Sequence, residues 1–336
     1  MTLTDELEHC REFLKRLSNM TFEELRERQS WSLNKKIDHS LGVIEQFYTQ
    51  LDGRCYVSFS GGKDSTVLYW LARKLYPDIK AVFCNTRNEY PEIAKFVLDM
   101  KLSGNFNIEI VTPPLKPHEV CEIYGFPIAS KQTSKLVDYY RNKPDTKLAK
   151  LAVNDDKRSY NRVYNKWQYL FDAPYNCSDK CCEMLKKRPM HEYDLRTNTY
   201  PIIGTMACES KTREGAYIKA GQCNTFNNRD KRKQKSRPLS IWLEKDVLEC
   251  IERYDIPICE IYSDPMIDRT GCAYCGFGIS FHPERFDWLY KHHPKMYKYA
   301  MGLKNNGVEF RVALREALKL DGLYLPDEKP KNLFDI

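Results

Sequence analysis

The segment that most restricts this chain is Cys55–Phe59 (CYVSF), followed at once by Ser60, the glycine pair Gly61-Gly62 and an amphipathic stretch running to Leu75. A short run of apolar and β-branched residues bounded by glycines reads as a buried strand, and the stretch after it has helical spacing. Such a strand needs strand neighbours, and strands that alternate with helices pair in parallel under helical cover. The alternation continues with a strand at Ala81–Cys84, a helix after Pro91 and a strand at Ile108–Val111. It resumes with Pro201–Gly204 (PIIG) and a predicted helix from Glu209 to Tyr217, then a helix capped by Ser240 that runs to Tyr254 and stops before Pro257. The expected fold class is α/β, a doubly wound parallel sheet, with the sheet domain over 53–260.

Two flanking regions complete the expected organisation. An N-terminal helical extension over 1–52 places Leu3, Leu7, Cys10, Leu14 and Leu17 on one face and Ile37, Leu41, Ile44 and Phe47 on another, and ends at the turn pair Asp52-Gly53. A Cys-rich C-terminal region over 261–336 carries a CxxC. With 42% hydrophobic and 29% charged residues in 336, the composition excludes the disordered and collagenous classes. No apolar run approaches the roughly 18 residues of a membrane span, and the first residues lack a signal-peptide core, so a cytoplasmic protein without a membrane partner is expected.

The glycine turn carries chemistry as well as shape. In FSGGKDS, two glycines let the backbone approach an anion, the helix that follows presents its positive end, and Ser60, Lys63 and Ser65 add hydroxyl and ammonium donors. The spacing is not that of a Walker A loop. The plainer reading is a Gly-Gly turn with Asp64 or Ser65 as an ordinary helix cap. The excess of 53 basic over 46 acidic residues, +7, also favours anionic partners. Much of it lies in an insertion over 131–170, where ten Lys or Arg face four Asp among Tyr139, Tyr140, Tyr160, Tyr164, Trp167 and Tyr169. That insertion reads either as a nucleic-acid surface or as a solvated helical segment with its rings packed inward. A second basic run, Arg229–Arg237, reads as an exposed loop.

Thirteen cysteines, an odd number, argue for thiol or metal chemistry over a disulfide framework. Cys181 and Cys182 are adjacent, and Cys272 and Cys275 form the CxxC. Four thiolates in two pairs can enclose a tetrahedral zinc or an iron-sulfur cluster, and Cys177-x3-Cys181 adds a spacing that suits zinc. Unrelated buried thiols are the remaining alternative. His118, His292 and His293 receive no role, and Trp242 and Trp288 are expected in the core.

These residues also carry a resemblance. SGGKDS at a strand-turn-helix junction resembles the PP-loop of ATP pyrophosphatases. The segments FCNTRNEYPEIAKFV, CCEMLKKRPM, IIGTMACESKTR, RPLSIW and RTGCAYCGFG resemble the sulfonucleotide reductase family, which includes 3'-phosphoadenosine 5'-phosphosulfate (PAPS) reductase, over roughly 55–278. The resemblance implies a sheet of the adenine nucleotide alpha-hydrolase type. It implies that Ser60, Gly61, Gly62, Lys63 and Ser65 bind the phosphates of ATP, that Asp64 caps the helix or helps hold Mg2+, and that Arg213 and Arg237 bind phosphate or adenylate. Lys63, Asp64 and Arg213 form the expected catalytic set. By the adenylylsulfate-reducing branch, Cys181, Cys182, Cys272 and Cys275 would hold a 4Fe-4S cluster, with zinc as the alternative.

Departures from that pattern shape the expected reaction. No cysteine follows Cys275, so the reductases' C-terminal nucleophile has no counterpart in this sequence. Met206 stands where those enzymes carry an arginine, and Asn85 where they often carry Asp. The expected activity is cleavage of ATP to AMP and pyrophosphate to adenylate an acceptor, coupled to iron-sulfur-assisted sulfur transfer. One alternative is a sulfonucleotide reductase using an external thiol, or Cys208 or Cys223; another is a non-catalytic nucleotide- or nucleic-acid-binding regulator. The expected partners are an adenine nucleotide, a tRNA or DNA acceptor or a sulfur-donor protein, and a second copy of the chain.

Overall fold

The computed structural model describes residues 20–153, 162–227, 234–268 and 270–330. The first helical face of the N-terminal extension, Tyr160 and most of the run after Arg229 lie outside the described residues. The chain forms two units. The first comprises Met1–Cys84, Glu92–Val111 and His191–Glu260, and the second Asn85–Pro91, Thr112–Met190 and Ile261–Ile336.

The first unit is built on a mostly parallel six-stranded sheet of β1 (Cys55–Phe59), β2 (Ala81–Cys84), β3 (Ile108–Val111), β4 (Tyr200–Ile203), β5 (Asn224–Thr225) and β6 (Lys235–Ser236), in the order β3-β2-β1-β4-β6-β5. Val57 of β1 pairs with Ala81 on one side and Ile202 on the other, so β1 is central, and all its residues but Ser58 are buried. The order runs outward from β1 to β3 and resumes with β4 on the opposite side of β1. Winding therefore reverses between β1 and β4, where an open α/β sheet leaves a crevice at the carboxyl ends of its strands. The expected α/β class and the strands at 55–59, 81–84 and 108–111 are all present.

The helical extension packs into this unit. Helix α1 (Phe22–Gln29) opens with a capping box between Thr21 and Glu24, and α2 (Leu33–Gln50) is capped by Ser32. Along α2, Ile37, Ile44 and Phe47 are buried as their spacing predicts. Lys36 is buried on the same helix, with its ammonium 2.5 Å from Asp246 and donating to the Gln29 carbonyl at 2.7 Å. Trp242 is fully buried and donates its indole N-H to Ser40 at 2.9 Å.

Two helix starts differ from expectation. The predicted helix from Glu209 begins instead at Lys211, because Ser210 accepts from the Arg213 N-H as the cap, while Ala207–Glu209 forms a separate 3-10 turn. Ser240 does not cap the next helix. Its hydroxyl donates to the Arg237 carbonyl in the turn preceding Trp242, and the helix Glu244–Arg253 starts after Leu243, whose N-H bonds to the Asp246 carboxylate. The β5–β6 hairpin, with two residues per strand, is too short to leave a periodic signal.

The second unit is mainly helical. Phe126 packs against Tyr175 and Phe310 at ring separations of 5.6 and 5.0 Å. The insertion's described part forms the helices Lys131–Asn142 and Lys147–Ala152 and a 3-10 segment over Asn165–Phe171. Tyr140 packs against Phe171 with tilted rings 4.3 Å apart, and Lys166 pairs with Asp321, so part of this segment's rings and charge serves packing. Tyr164 remains half exposed beneath the Arg162 guanidinium. Trp288 is buried, as expected.

The Lys36–Asp246 pair ties α2 to the helix Glu244–Arg253. Lys36→Met, which strands a buried carboxylate, is expected to cost about 3–5 kcal/mol in urea unfolding. Adding Asp246→Leu should recover only part of that, because Asp246 also accepts the Leu243 N-H.

Candidate functional site

The glycine turn sits at the carboxyl end of β1, where winding reverses. Gly61 has φ +73°, and a Cβ there would lie 2.9 Å from the Cγ2 atoms of Ile93 and Val97, so only glycine fits. The chain reverses and enters helix α3 (Lys63–Leu75), whose N-cap is Gly62 with no side-chain cap. The serines brace the turn. The Ser65 hydroxyl donates to the Gly62 carbonyl at 2.9 Å, accepts the Ser60 N-H at 3.2 Å and meets the Ser60 hydroxyl at 3.0 Å. Thr66 donates to the same carbonyl at 3.0 Å. The backbone is thereby shaped before any ligand arrives, with the positive end of a thirteen-residue helix behind it.

The end of β4 closes one side of this turn. A Cβ on Gly204 would stand 3.2 Å from the Asp64 carbonyl, so the two loops are in close contact. Just beyond, Cys208 is exposed, with its sulfur against the Trp242 carbonyl at 3.4 Å. Partial burial of its sulfur and the carboxylates of Glu209, Asp64 and Glu244 push this thiol up from its ordinary value. Lys63 is buried, and its ammonium lies 2.5 Å from the Glu244 carboxylate. Arg213 pairs with Glu209. Arg237 is held below its ordinary value by burial and by the Arg213 charge. Lys235 is lowered by burial and by Arg237. The predicted phosphate-loop residues thus lie together, and Arg213 and Arg237 lie within each other's field. Cys223, the other thiol considered as a nucleophile, is buried against Tyr217 and His39, and burial pushes it up.

The four predicted thiol ligands meet in the second unit. Cys181, Cys182, Cys272 and Cys275 line one mostly apolar cavity together with Cys121 and Lys186. The first pair lies on a short helix, Lys180–Cys182, that widens into a π-helical stretch over Glu183–Lys187, a distortion often found at functional sites. The CxxC loop is held by backbone contacts: the Ala273 N-H donates to the Asn88 carbonyl at 2.7 Å, and Arg285 donates to the carbonyls of Cys275 and Phe277 at 2.9 Å. A Cβ on Gly276 would lie 2.3 Å from the Pro127 carbonyl, so glycine is required there too. Cys177 does not line the cavity; burial pushes its thiol up to about 12 despite a bond to Ser134.

Charge is matched to these thiols. Cys182 is drawn down from its ordinary value, first by its hydrogen bond with Cys181 and then by Lys131, Lys186 and Lys187, against the effect of burial. Cys181, at the other end of that bond, is pushed up, as is Cys272 by burial; burial pushes Cys275 up to about 12. Burial opposes charge on Lys186, but Cys272, Glu89 and Cys182 outweigh it and raise its pKa. Among the described residues, no three His, Cys, Asp or Glu side chains converge closely enough to hold a single metal ion. The four thiols line one cavity with cations beside them, a donor set that suits a negatively charged thiolate-bound centre.

Sequence reasoning missed Glu244, Lys186 and Cys121. Lys186 follows Cys182 by four residues in one continuous helical segment, so spacing alone could have found it. Glu244 is 181 residues from Lys63 and leaves no local trace. A wider cleft of about 560 Å³, lined by Tyr48, Tyr76, Lys80 and Tyr193, opens at the amino ends of the strands, away from the loop. No helix among the described residues is long and apolar enough to cross a membrane.

The chain is 25% identical over 289 residues to an uncharacterized protein of Methanocaldococcus jannaschii, covering 82% of this chain and 54% of that one. It thus spans about half the length of that relative. It is 22% identical over 239 residues to adenosine 5'-phosphosulfate reductase of Halalkalibacterium halodurans, covering 70% and 80%. Among solved structures it is similar to PAPS reductase of Candida auris in a phosphate complex (TM-score 0.40, 12% identity, 73% and 92% covered). It is also similar to the U34-tRNA thiolase NcsA of Methanococcus maripaludis with its [4Fe-4S] cluster (TM-score 0.36, 14%, 90% and 86%). Residues 54–132 and 129–276 match the phosphoadenosine phosphosulfate reductase domain, about two thirds of the sequence, and the chain belongs to that family.

Proposed function

We propose that this chain is an adenylating enzyme that binds ATP at the glycine loop, cleaves it to AMP and pyrophosphate, and couples adenylation of an acceptor to sulfur transfer. The observation that carries this reading is the braced, glycine-only turn opening α3 at the point where winding reverses. In it, the backbone of Ser60, Gly61 and Gly62 and the start of α3 receive the β and γ phosphates, and Ser65 holds the turn in shape. Lys63 offsets charge on the leaving pyrophosphate. Asp64 and Glu244 are the carboxylates through which Mg2+ would be shared with those phosphates, since this ion binds through one or two carboxylates plus substrate oxygens. Arg213 and Arg237 receive the phosphate of the adenylate.

Cys181, Cys182, Cys272 and Cys275 would hold a 4Fe-4S cluster, which when bound supplies a site for presenting or relaying sulfur. Lys131, Lys186 and Lys187 favour the Cys182 thiolate and would balance the negative charge of a thiolate-bound centre. A nucleic-acid acceptor, tRNA or DNA, suits the basic insertion around the half-exposed Tyr164.

The second reading, a sulfonucleotide reductase, is favoured by the family and by the Halalkalibacterium relative named as such. Turnover separates the two: pyrophosphate release from ATP supports adenylation, whereas sulfite release from PAPS or adenylylsulfate supports reduction. Lys63→Ala is expected to lower pyrophosphate release by roughly 100-fold or more, and parental activity in that variant would overturn the loop assignment. Anaerobically purified protein is expected to contain iron and acid-labile sulfide, lost in Cys272→Ser; stoichiometric zinc without iron would overturn the cluster. Because the raised pKa of Cys208 leaves less thiolate at neutral pH, its alkylation, followed by mass spectrometry, should rise with a midpoint above the ordinary 9.0. A midpoint near about 7 would mark an activated nucleophile and favour reduction.

A further inference from the structure

We infer that Glu244 sets the ligand preference of the glycine loop, favouring a polyphosphate that arrives with a divalent cation over a bare anion. This rests on the reading of the loop as a nucleotide site. The Lys63 side chain is only 8% exposed, whereas its partner Glu244 is 57% exposed, at the solvent end of a 2.5 Å ion pair. Glu244 is the first residue of its helix, so its Cα stays near the loop whatever its side chain does. Asp64 adds a second carboxylate, and both act together on the Cys208 thiol.

An anion seated at the start of α3 and reaching Lys63 competes with Glu244 for the ammonium. The released carboxylate then stands beside the new anion, with Asp64 close by. For a bare anion this is a double cost, a lost ion pair and a like-charge contact. A polyphosphate carrying Mg2+ brings its own compensation, because the cation gives the released carboxylate a new partner. Glu244 therefore acts as a positioning and specificity residue. It holds Lys63 and penalises sulfate, inorganic phosphate and metal-free nucleotide more than the metal-loaded form.

The test is calorimetric titration of the full chain with inorganic pyrophosphate, with and without Mg2+, for the parent protein, Glu244→Gln, Glu244→Asp and Lys63→Ala. The quantity compared is the factor by which Mg2+ tightens binding. In Glu244→Gln, bare pyrophosphate is expected to bind about fivefold tighter than in the parent, a factor typical of a partly exposed ion pair, and the Mg2+ factor should shrink accordingly. Glu244→Asp, which keeps the charge, should keep most of the parental factor, and this distinguishes charge from a change in folding. If the parent binds pyrophosphate and Glu244→Gln leaves the Mg2+ factor unchanged, including by tightening both forms equally, the inference is overturned while the loop reading stands. If the parent does not bind pyrophosphate, or Lys63→Ala binds it as the parent does, the loop reading falls and the inference falls with it.

Discussion

A single backbone position governs the first unit's chemistry. At the carboxyl end of β1 the chain must leave the sheet and enter α3 within three residues, and Gly61 does so at φ +73° with Ile93 and Val97 pressed where a Cβ would be. Any other residue would both strain the backbone and push α4 (Pro91–Leu102) away. Because the turn is tight, α3 starts directly above the crevice and its positive end points where the winding reverses. The serines then spend their hydroxyls on this geometry, so the shape of the turn is a property of the fold and not of flexible side chains.

The second unit meets a different constraint, that of gathering thiols whose burial disfavours ionisation. Burial raises Cys121, Cys272 and Cys275, and the proposed ligands among them would have to lose their protons to bind a metal centre. Cys182 is the exception, lowered by its hydrogen bond with Cys181 and by Lys131, Lys186 and Lys187. The CxxC is held independently of side-chain chemistry, through the backbone of Asn88, the Arg285 guanidinium and the close approach of Gly276 to Pro127. Such a loop keeps its shape whether or not the thiols are charged.

Much of this was legible in the primary structure, and for identifiable reasons. β1, β2 and β3 are short apolar runs with turn residues on both sides, so their ends are marked locally, and the observed spans agree. SGGKDS and the two thiol pairs are likewise local words. The helix starts were less legible, because Ser210 and Ser240 are chemically equivalent caps; only the packing of Trp242 decides that Ser240 is spent on a turn instead. The insertion's rings divided between packing and surface on grounds that spacing does not contain, as the Tyr140–Phe171 pair and the exposed Tyr164 illustrate.

The amino-acid order alone determined the α/β class, the glycine turn and the pairing of cysteines, since each depends on residues within one turn or one strand of each other. Only the tertiary structure decided that Glu244 holds Lys63, that Cys121 joins the thiol cavity while Cys177 does not, and that Arg213 and Arg237 share one field. Those relations join residues brought together by packing, and the free energy that sets them belongs to the folded arrangement, not to any local stretch of chain.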